Sequence, residues 1–301
     1  MHVLVTGGAG FIGNNLVRLL LAEDYQISVL DNFKVGQRDS LERLNLKIIA
    51  GDILDPNAVK RAVVGVDAVV HLAAQTGVPG SIEDPYGDCQ TNVIGTLNLL
   101  EACRHANVTK FIFASSNAPL GRQPPPATET KAPLPISPYG ASKLAGEGYC
   151  LAYHGSWGLN TIVFRFANLY GPHSKHKKSV VAKFFNDIAE TGRITVTGGG
   201  QQTRDFIYVE DLCRAVLLAL NANVSGEVFQ IATGVETSIL ELATMVQNLV
   251  DQEIQMSHEP ARIGDIQKNY SAITKVRDVL GWEPKMTLGD GLQETWRWFQ
   301  S

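Results

Sequence analysis

The chain has few cysteines, little net charge and no long apolar run, and each shortage removes a class of protein. Only four of its 301 residues are cysteine. Cys89, Cys103, Cys150 and Cys213 lack the paired spacing of a metal site, so no metal centre is expected. They read as reduced thiols in a cytoplasmic protein. The formal net charge of −4 offers no electrostatic footprint for nucleic acid or an anionic membrane. The opening Val3-Leu4-Val5 runs straight into glycines and is too brief for a secretory signal. The stretch Leu16–Leu21 contains Arg18 and meets Glu23-Asp24, which argues against a membrane span. Repeats and long low-complexity tracts are missing too; Pro124-Pro125-Pro126 marks a surface loop.

What is present is a rhythm of short apolar runs. His2–Thr6, Ile27–Leu30, Leu46–Ala50, Ala68–Leu72, Lys110–Ala114 and Asn160–Phe164 read as strands. Helical patterns lie between most of them, notably Asn92–His105 and Tyr139–Tyr153. Continuous apolar strands alternating with helices predict an α/β protein, a Rossmann-type doubly wound parallel sheet covered on both faces. After Asn168 the pattern changes to mixed short strands and helices. The expected division is a dinucleotide-binding domain over 1–167 and a smaller mixed α/β substrate lobe over 168–301, with some later segments returning to the first.

The first strand runs into Gly7, Gly10 and Gly13, spaced as Gly-x-x-Gly-x-x-Gly, with Phe11 and Ile12 opening the next helix. Glycine lets backbone approach a pyrophosphate, and a helix start offers free N–H groups and a positive dipole end. Asp31 ends the second strand, where a carboxylate accepts bonds from ribose hydroxyls and repels a 2′-phosphate. NAD is therefore favoured over NADP. The pair Asp31-Asn32 also has the composition of a turn. Asp52 and Ile53, after the third strand, are placed to flank an adenine, or form a plain loop.

Further along, Tyr139 and Lys143 stand four residues apart, on one face of a helix. An ammonium near a phenol favours phenolate, lowering a pKa of about 10. A tyrosine tuned in this way exchanges protons near neutral pH, and beside a nicotinamide this implies oxidation or reduction of a hydroxyl or ketone. His71, at a strand end, reads as a packed residue rather than a base.

Together Thr6–Gly13, His71-Leu72-Ala73-Ala74, Tyr139–Lys143 and Arg165–Pro172 resemble the extended short-chain dehydrogenase/reductases, and among these the nucleotide-sugar 4-epimerases of the UDP-glucose/UDP-galactose type. The resemblance covers essentially the whole chain. It implies a catalytic set of Ser116, Tyr139 and Lys143, with Ser116 in the loop Ser115–Gly121. It implies that Leu72, Ala73, Ala74 and Asn92 line the cofactor, Asn92 near the nicotinamide. It implies substrate-diphosphate contacts from Asn168, Arg204 and Arg262, with Asp265 in the same segment as Arg262 and Asn117 beside Ser116. Guanidinium forks suit phosphate oxygens. Two departures stand out. Leu120 replaces the family's usual tyrosine before the loop glycine, making the wall near the sugar more apolar. Asn117 and Ala118 replace the Asp-Glu pair of relatives that remove water, which leaves only the chemistry of removing and returning hydride.

The resemblance thus implies C4 epimerisation of a nucleotide-diphosphate sugar, by a homodimer paired through the helices Asn92–His105 and Tyr139–Tyr153. A reductase acting on a 4-keto sugar would instead consume reduced cofactor. A non-catalytic NAD sensor would commonly lack the tyrosine or lysine. The basic run His173-Ser174-Lys175-His176-Lys177-Lys178 reads as a solvated loop, or as a cationic lid for a diphosphate or a uronate carboxylate.

Overall fold

The computed structural model describes residues 1–250, 253–260 and 266–301. Two compact units are present. The first comprises Met1–Gln123, Glu129–Phe166 and Cys213–Phe229, the second Pro124–Thr128, Ala167–Leu212 and Gln230–Ser301.

In chain order the first unit holds β1 (His2–Thr6), α1 (Phe11–Ala22), β2 (Gln26–Asp31), α2 (Asp39–Glu42), β3 (Lys47–Ala50), α3 (Pro56–Ala62) and β4 (Ala68–His71). Then come α4 (Val78–Glu83), α5 (Pro85–Cys89), a π turn (Gln90–Ile94), α6 (Gly95–His105), β5 (Lys110–Ser116), a 3₁₀ turn (Ala118–Leu120), α7 (Pro138–Trp157) and β6 (Asn160–Phe166). The expected doubly wound sheet is there. Its seven strands run β3-β2-β1-β4-β5-β6-β11, with β11 spanning Glu227–Ile231. Every pairing from β3 to β6 is parallel. Strand order reverses direction between β1 and β4, and ligands of such sheets bind at the carboxyl ends beside that switch point.

The strands form where they do because Val, Ile, Leu and Phe runs can be buried on both faces. Leu4, Leu30, Val69, Phe111, Phe113 and Val163 share one core with Leu99 and Leu100 of α6. Both β5 and β6 extend two residues beyond the sequence expectation, because their ladder continues through Ser115↔Arg165 and Ser116↔Phe166. The helix expected from Asn92 differs more: Asn92 lies in the π turn, and regular α-helix begins only at Gly95. By contrast α7 is longer than its expected span. Ser137 accepts a bond from Gly140 N–H and Pro138 occupies the first turn, while Gly158 ends the helix in a left-handed conformation at φ 72°.

The second unit contains β7 (Asn168–Tyr170), α8 (Val180–Thr191), β8 (Arg193–Thr197), β9 (Thr203–Arg204) and β10 (Phe206–Tyr208). The helix α9 (Val209–Asn221) counts mostly with the first unit. After β11 come β12 (Thr237–Ser238), α10 (Ile239–Leu249), β13 (Gln255–Glu259), α11 (Thr274–Leu280) and α12 (Leu288–Gln300). Strands pair as β7 with β10, β8 with β13 and β9 with β12. Phe184, Phe185, Ile194, Val196, Leu242, Leu292 and Phe299 form its core. Buried Asp205 staples three segments: its carboxylate accepts from Thr233 N–H (2.8 Å), the Thr233 hydroxyl (2.6 Å), Gly234 N–H (2.9 Å) and Ser271 N–H (3.3 Å). No helix among the described residues is long and apolar enough to cross a membrane.

Candidate active site

The turn after β1 is shaped around its own backbone. Gly7 adopts φ 70°, and a Cβ there would lie 2.7 Å from Ala73 N. A Cβ on Gly13 would sit 2.3 Å from the Gly7 carbonyl oxygen. Gly10 differs. A Cβ there would meet only the Gly7 oxygen, at 3.3 Å, and no side chain caps the helix that Gly10 starts. The start of α1, at Phe11, Ile12 and Gly13, therefore presents backbone N–H groups and a positive dipole end beside a narrow glycine floor. This arrangement suits a pyrophosphate.

Asp31 is buried beside the turn. One carboxylate oxygen accepts from Ala9 N–H (2.9 Å), the other from Phe33 N–H (2.8 Å). Each oxygen keeps capacity for a further donor such as a ribose hydroxyl. Asn32 Nδ2 donates to Asp52 Oδ2 (2.9 Å), and Leu54 N–H donates to Asp52 Oδ1 (3.0 Å). Burial opposes ionisation of Asp52, but bonds from Leu54, Asn32 and Lys34 hold its pKa below the ordinary value. Ile53 turns its side chain into the core, against Gly95 of α6, so toward a ligand it can offer only backbone.

Ser116, Tyr139 and Lys143 come together at the carboxyl end of β5 and the first turns of α7. The Ser116 hydroxyl is hydrogen-bonded to the Tyr139 phenol and also accepts from Ala118 N–H (3.1 Å). Lys143 is buried, and its Nζ donates to the Ala114 carbonyl (2.9 Å). That Nζ lies 6.0 Å from the Tyr139 ring centroid. The expectation that Lys143 lowers the phenol's pKa is corrected here. Burial pushes Tyr139 up to about 12, with the Asp88 charge adding to the rise and the Ser116 bond opposing it. Burial also pulls Lys143 down to about 8, while Asp88 and Glu147 hold it up. Desolvation, not the nearby ammonium, sets the direction of the shift at Tyr139.

The π turn carries buried Asn92 into this region. Its Oδ1 accepts from Gln75 N–H (2.9 Å), and its Nδ2 faces the Gln75 carbonyl (3.0 Å), Asp88 Oδ1 (2.9 Å) and Ser142 Oγ (3.1 Å). Asn92 thereby joins the loop after β4 to α7, between Tyr139 and Lys143. Leu72 N–H donates to the Thr6 carbonyl (3.1 Å) and Ala73 N–H to the Thr6 hydroxyl (3.2 Å); Ala74 follows, half-buried.

Sequence reasoning missed Asp88, Ser142 and Glu147. Asp88 Oδ2 is buried with no hydrogen-bond partner among the described residues, and burial raises the pKa of its carboxyl. Glu147 accepts from Ser115 Oγ (2.5 Å) and forms a bidentate pair with Arg165 (2.6 Å at its shortest), tying β5, β6 and α7 together. The available signal was spacing. Glu147 follows Lys143 by four residues, and Asp88 precedes Asn92 by four.

Asn117 leads into the 3₁₀ turn, donating its N–H to the Phe166 carbonyl (3.3 Å), and Leu120 in that turn is buried. In the second unit, Asn168 donates to the Asp205 carbonyl from its backbone N–H (2.9 Å) and its Nδ2 (3.2 Å). One Arg204 guanidinium nitrogen donates to the carbonyls of Thr203 and Ile266, both at 2.7 Å. Arg262 and Asp265 lie outside the described residues. The basic run is folded onto α12: the His173 ring stands 5.0 Å from the Trp298 ring, Lys175 Nζ lies 5.8 Å from it, and burial lowers the pKa of Lys177.

A family profile described as the NAD dependent epimerase/dehydratase family matches residues 3–232. A UDP-glucose 4-epimerase of Mycolicibacterium smegmatis is 35% identical, over 100% of this chain and 99% of its own. A dTDP-glucose 4,6-dehydratase of Streptomyces niveus is 34% identical, over 100% and 93%. The crystal structure of a Thermotoga maritima UDP-glucose 4-epimerase with UDP-glucose superposes with a TM-score of 0.94 at 37% identity, covering 100% of this chain and 99% of that one. With a glycine turn, a dinucleotide-compatible carboxylate and a Ser–Tyr–Lys cluster on one parallel sheet, the chain belongs to the NAD-dependent epimerase/dehydratase family of extended short-chain dehydrogenase/reductases.

Proposed function

We propose that the protein is an isomerase that inverts C4 of a nucleotide-diphosphate sugar, UDP-glucose and UDP-galactose being the first candidates. The observation that carries this reading is the Ser116–Tyr139 hydroxyl pair beside Lys143, in a loop where Asn117 and Ala118 offer no carboxyl group for dehydration chemistry. In the first unit, Gly7, Gly10 and Gly13 with the N–H groups of Phe11 and Ile12 take the pyrophosphate. Asp31 and Asn32 take the adenosine ribose, Asp52 and the Ile53 backbone the adenine. Leu72, Ala73, Ala74 and Asn92 line the path to the reacting end. When bound, NAD supplies a reversible hydride acceptor whose positive charge favours the phenolate, so redox change cancels over a turnover.

Tyr139 takes the proton from the C4 hydroxyl and later returns it. Ser116 holds that hydroxyl and the phenol in one hydrogen-bonded line. Lys143, tied to the Ala114 carbonyl, stays fixed beneath the tyrosine as a buried cation. In the second unit, Asn168 and Arg204, together with Arg262 and Asp265, anchor the diphosphate while the 4-keto sugar turns. Asn117 contacts the sugar. The active species is a homodimer joined through α6 and α7, where Tyr149 and Trp157 are exposed.

A uronate in place of the neutral hexose is favoured by one observation, the partly buried Lys177 within the folded basic run. A substrate panel tests both. Purified protein converting UDP-glucose to UDP-galactose, with no net change at the NADH band, supports the neutral hexose. Turnover confined to UDP-glucuronate supports the uronate. Stoichiometric NADH consumption on a 4-keto sugar would identify a reductase instead.

A further inference from the structure

Buried His71 sits inside a chain of hydrogen bonds whose direction can be worked out from one end. The Thr96 hydroxyl donates its only proton to the Asn92 backbone carbonyl (2.6 Å). Toward His71 Nε2, 3.0 Å away, the same hydroxyl can then only accept. The ring proton is therefore on Nε2. At the other side Nδ1 lies 2.7 Å from the Thr6 hydroxyl. A neutral ring with its proton on Nε2 has a lone pair at Nδ1, so Thr6 donates there and accepts from Ala73 N–H (3.2 Å). Every donor and acceptor is used once, in one sense, from Ala73 through Thr6, His71 and Thr96 to Asn92. Phe111 and Phe113 enclose the ring, with centroids 5.9 and 5.7 Å away, and Lys143 is the charged group that faces it.

The two ends of this chain reach two parts of the proposed dinucleotide site, the pyrophosphate turn and the clamp toward the nicotinamide. Thr6 immediately precedes Gly7, and Ala73 N is the atom a Gly7 Cβ would strike. Asn92 grips Gln75 and Ser142, the latter between Tyr139 and Lys143. We infer that His71 is a positioning residue, held as the neutral Nε2–H tautomer, that sets the spacing between the glycine turn and the Asn92 clamp, and so the fit of the dinucleotide along the sheet edge. It touches neither substrate nor cofactor and moves no proton. The inference rests on the proposed dinucleotide site but not on the sugar chemistry.

The test is ¹⁵N-histidine NMR of the full chain loaded with NAD, with the His71 signal assigned by its loss in His71→Phe. The expected signature is a protonated Nε2 and a bare Nδ1, unchanged from about pH 5 to about pH 8. Alongside it, His71→Phe keeps ring volume but breaks the chain. That variant is expected to weaken NAD binding and slow turnover, each roughly tenfold or more. Adding Thr96→Val should cost little further, because both changes cut the same chain. An Nδ1–H or doubly protonated ring overturns the inference, whether or not the variant folds. So does a folded His71→Phe protein with NAD affinity and turnover within about twofold of the parent. NAD binding and the tautomer are read without sugar, so failure of the epimerase reading leaves this test standing.

Discussion

Tyr139 holds its proton more tightly than a free phenol does, and this shapes what its variants should do. In dinucleotide-free protein we expect the phenol to ionise near pH 12, visible as the ultraviolet tyrosinate signal that is missing in Tyr139→Phe. Removing the Asp88 charge in Asp88→Asn should move that ionisation downward, since this carboxylate opposes the phenolate. An unchanged or higher value in Asp88→Asn counts against the electrostatic picture. Tyr139→Phe should lose about 10²–10⁴ in turnover, the range of general acid–base catalysis, with NAD still bound. The residue types and spacing of the pair were legible in the sequence; the burial of Lys143 and half-burial of Tyr139 were not. Four-residue spacing places Lys143 on the same helix face as Tyr139, but not whether water or protein surrounds them, and desolvation decides the sign of the shift.

At the scale of elements, the parallel sheet was legible because each strand is a continuous apolar run bounded by turn residues. The π turn was not, since Gln90–Ile94 differs from an α-helical turn by one hydrogen-bond step and carries no distinct pattern. Its consequence is local: it aims Asn92 at Gln75 and Ser142. The Glu147–Arg165 pair, with side chains 3% and 5% exposed, was likewise hidden, because its partners lie on different elements. Arg165→Leu leaves Glu147 charged and buried, and should cost about 3–5 kcal/mol in denaturant unfolding. A loss within error of zero would show that the pair is solvated in solution. His71 adds a pH dependence. The unfolded ring takes a proton near pH 6.5, while burial holds the folded ring down to about 3. Between these values the unfolded state binds the extra proton. The contribution is full above about pH 6.5 and shrinks as pH falls, by up to about tenfold in the folding equilibrium per unit. Parent protein should therefore lose more stability than His71→Phe between neutral and mildly acidic pH.

At the scale of the whole molecule, two units share the work in this account. The first is built on a parallel sheet whose alternation of strand and helix was readable in the sequence, and its carboxyl edge carries the residues proposed for dinucleotide binding and proton transfer. The second is a patchwork of short pairs stapled by Asp205, and periodicity alone could not have placed Arg204 against the Ile266 carbonyl. We expect a dimer by light scattering, and Trp157→Glu on α7, where the side chain is 54% exposed, should shift it toward monomer. A parent protein that is monomeric at micromolar concentration removes that proposal but leaves the chemistry untouched. The central claim concerns hydride that leaves C4 and comes back within one turnover. It is tested most directly with UDP-galactose deuterated at C4, in ordinary water with NAD-loaded protein. The account predicts UDP-glucose that keeps the deuterium at C4, with no NADH accumulating. Washout of the label, or its release into stoichiometric free NADH, would contradict it.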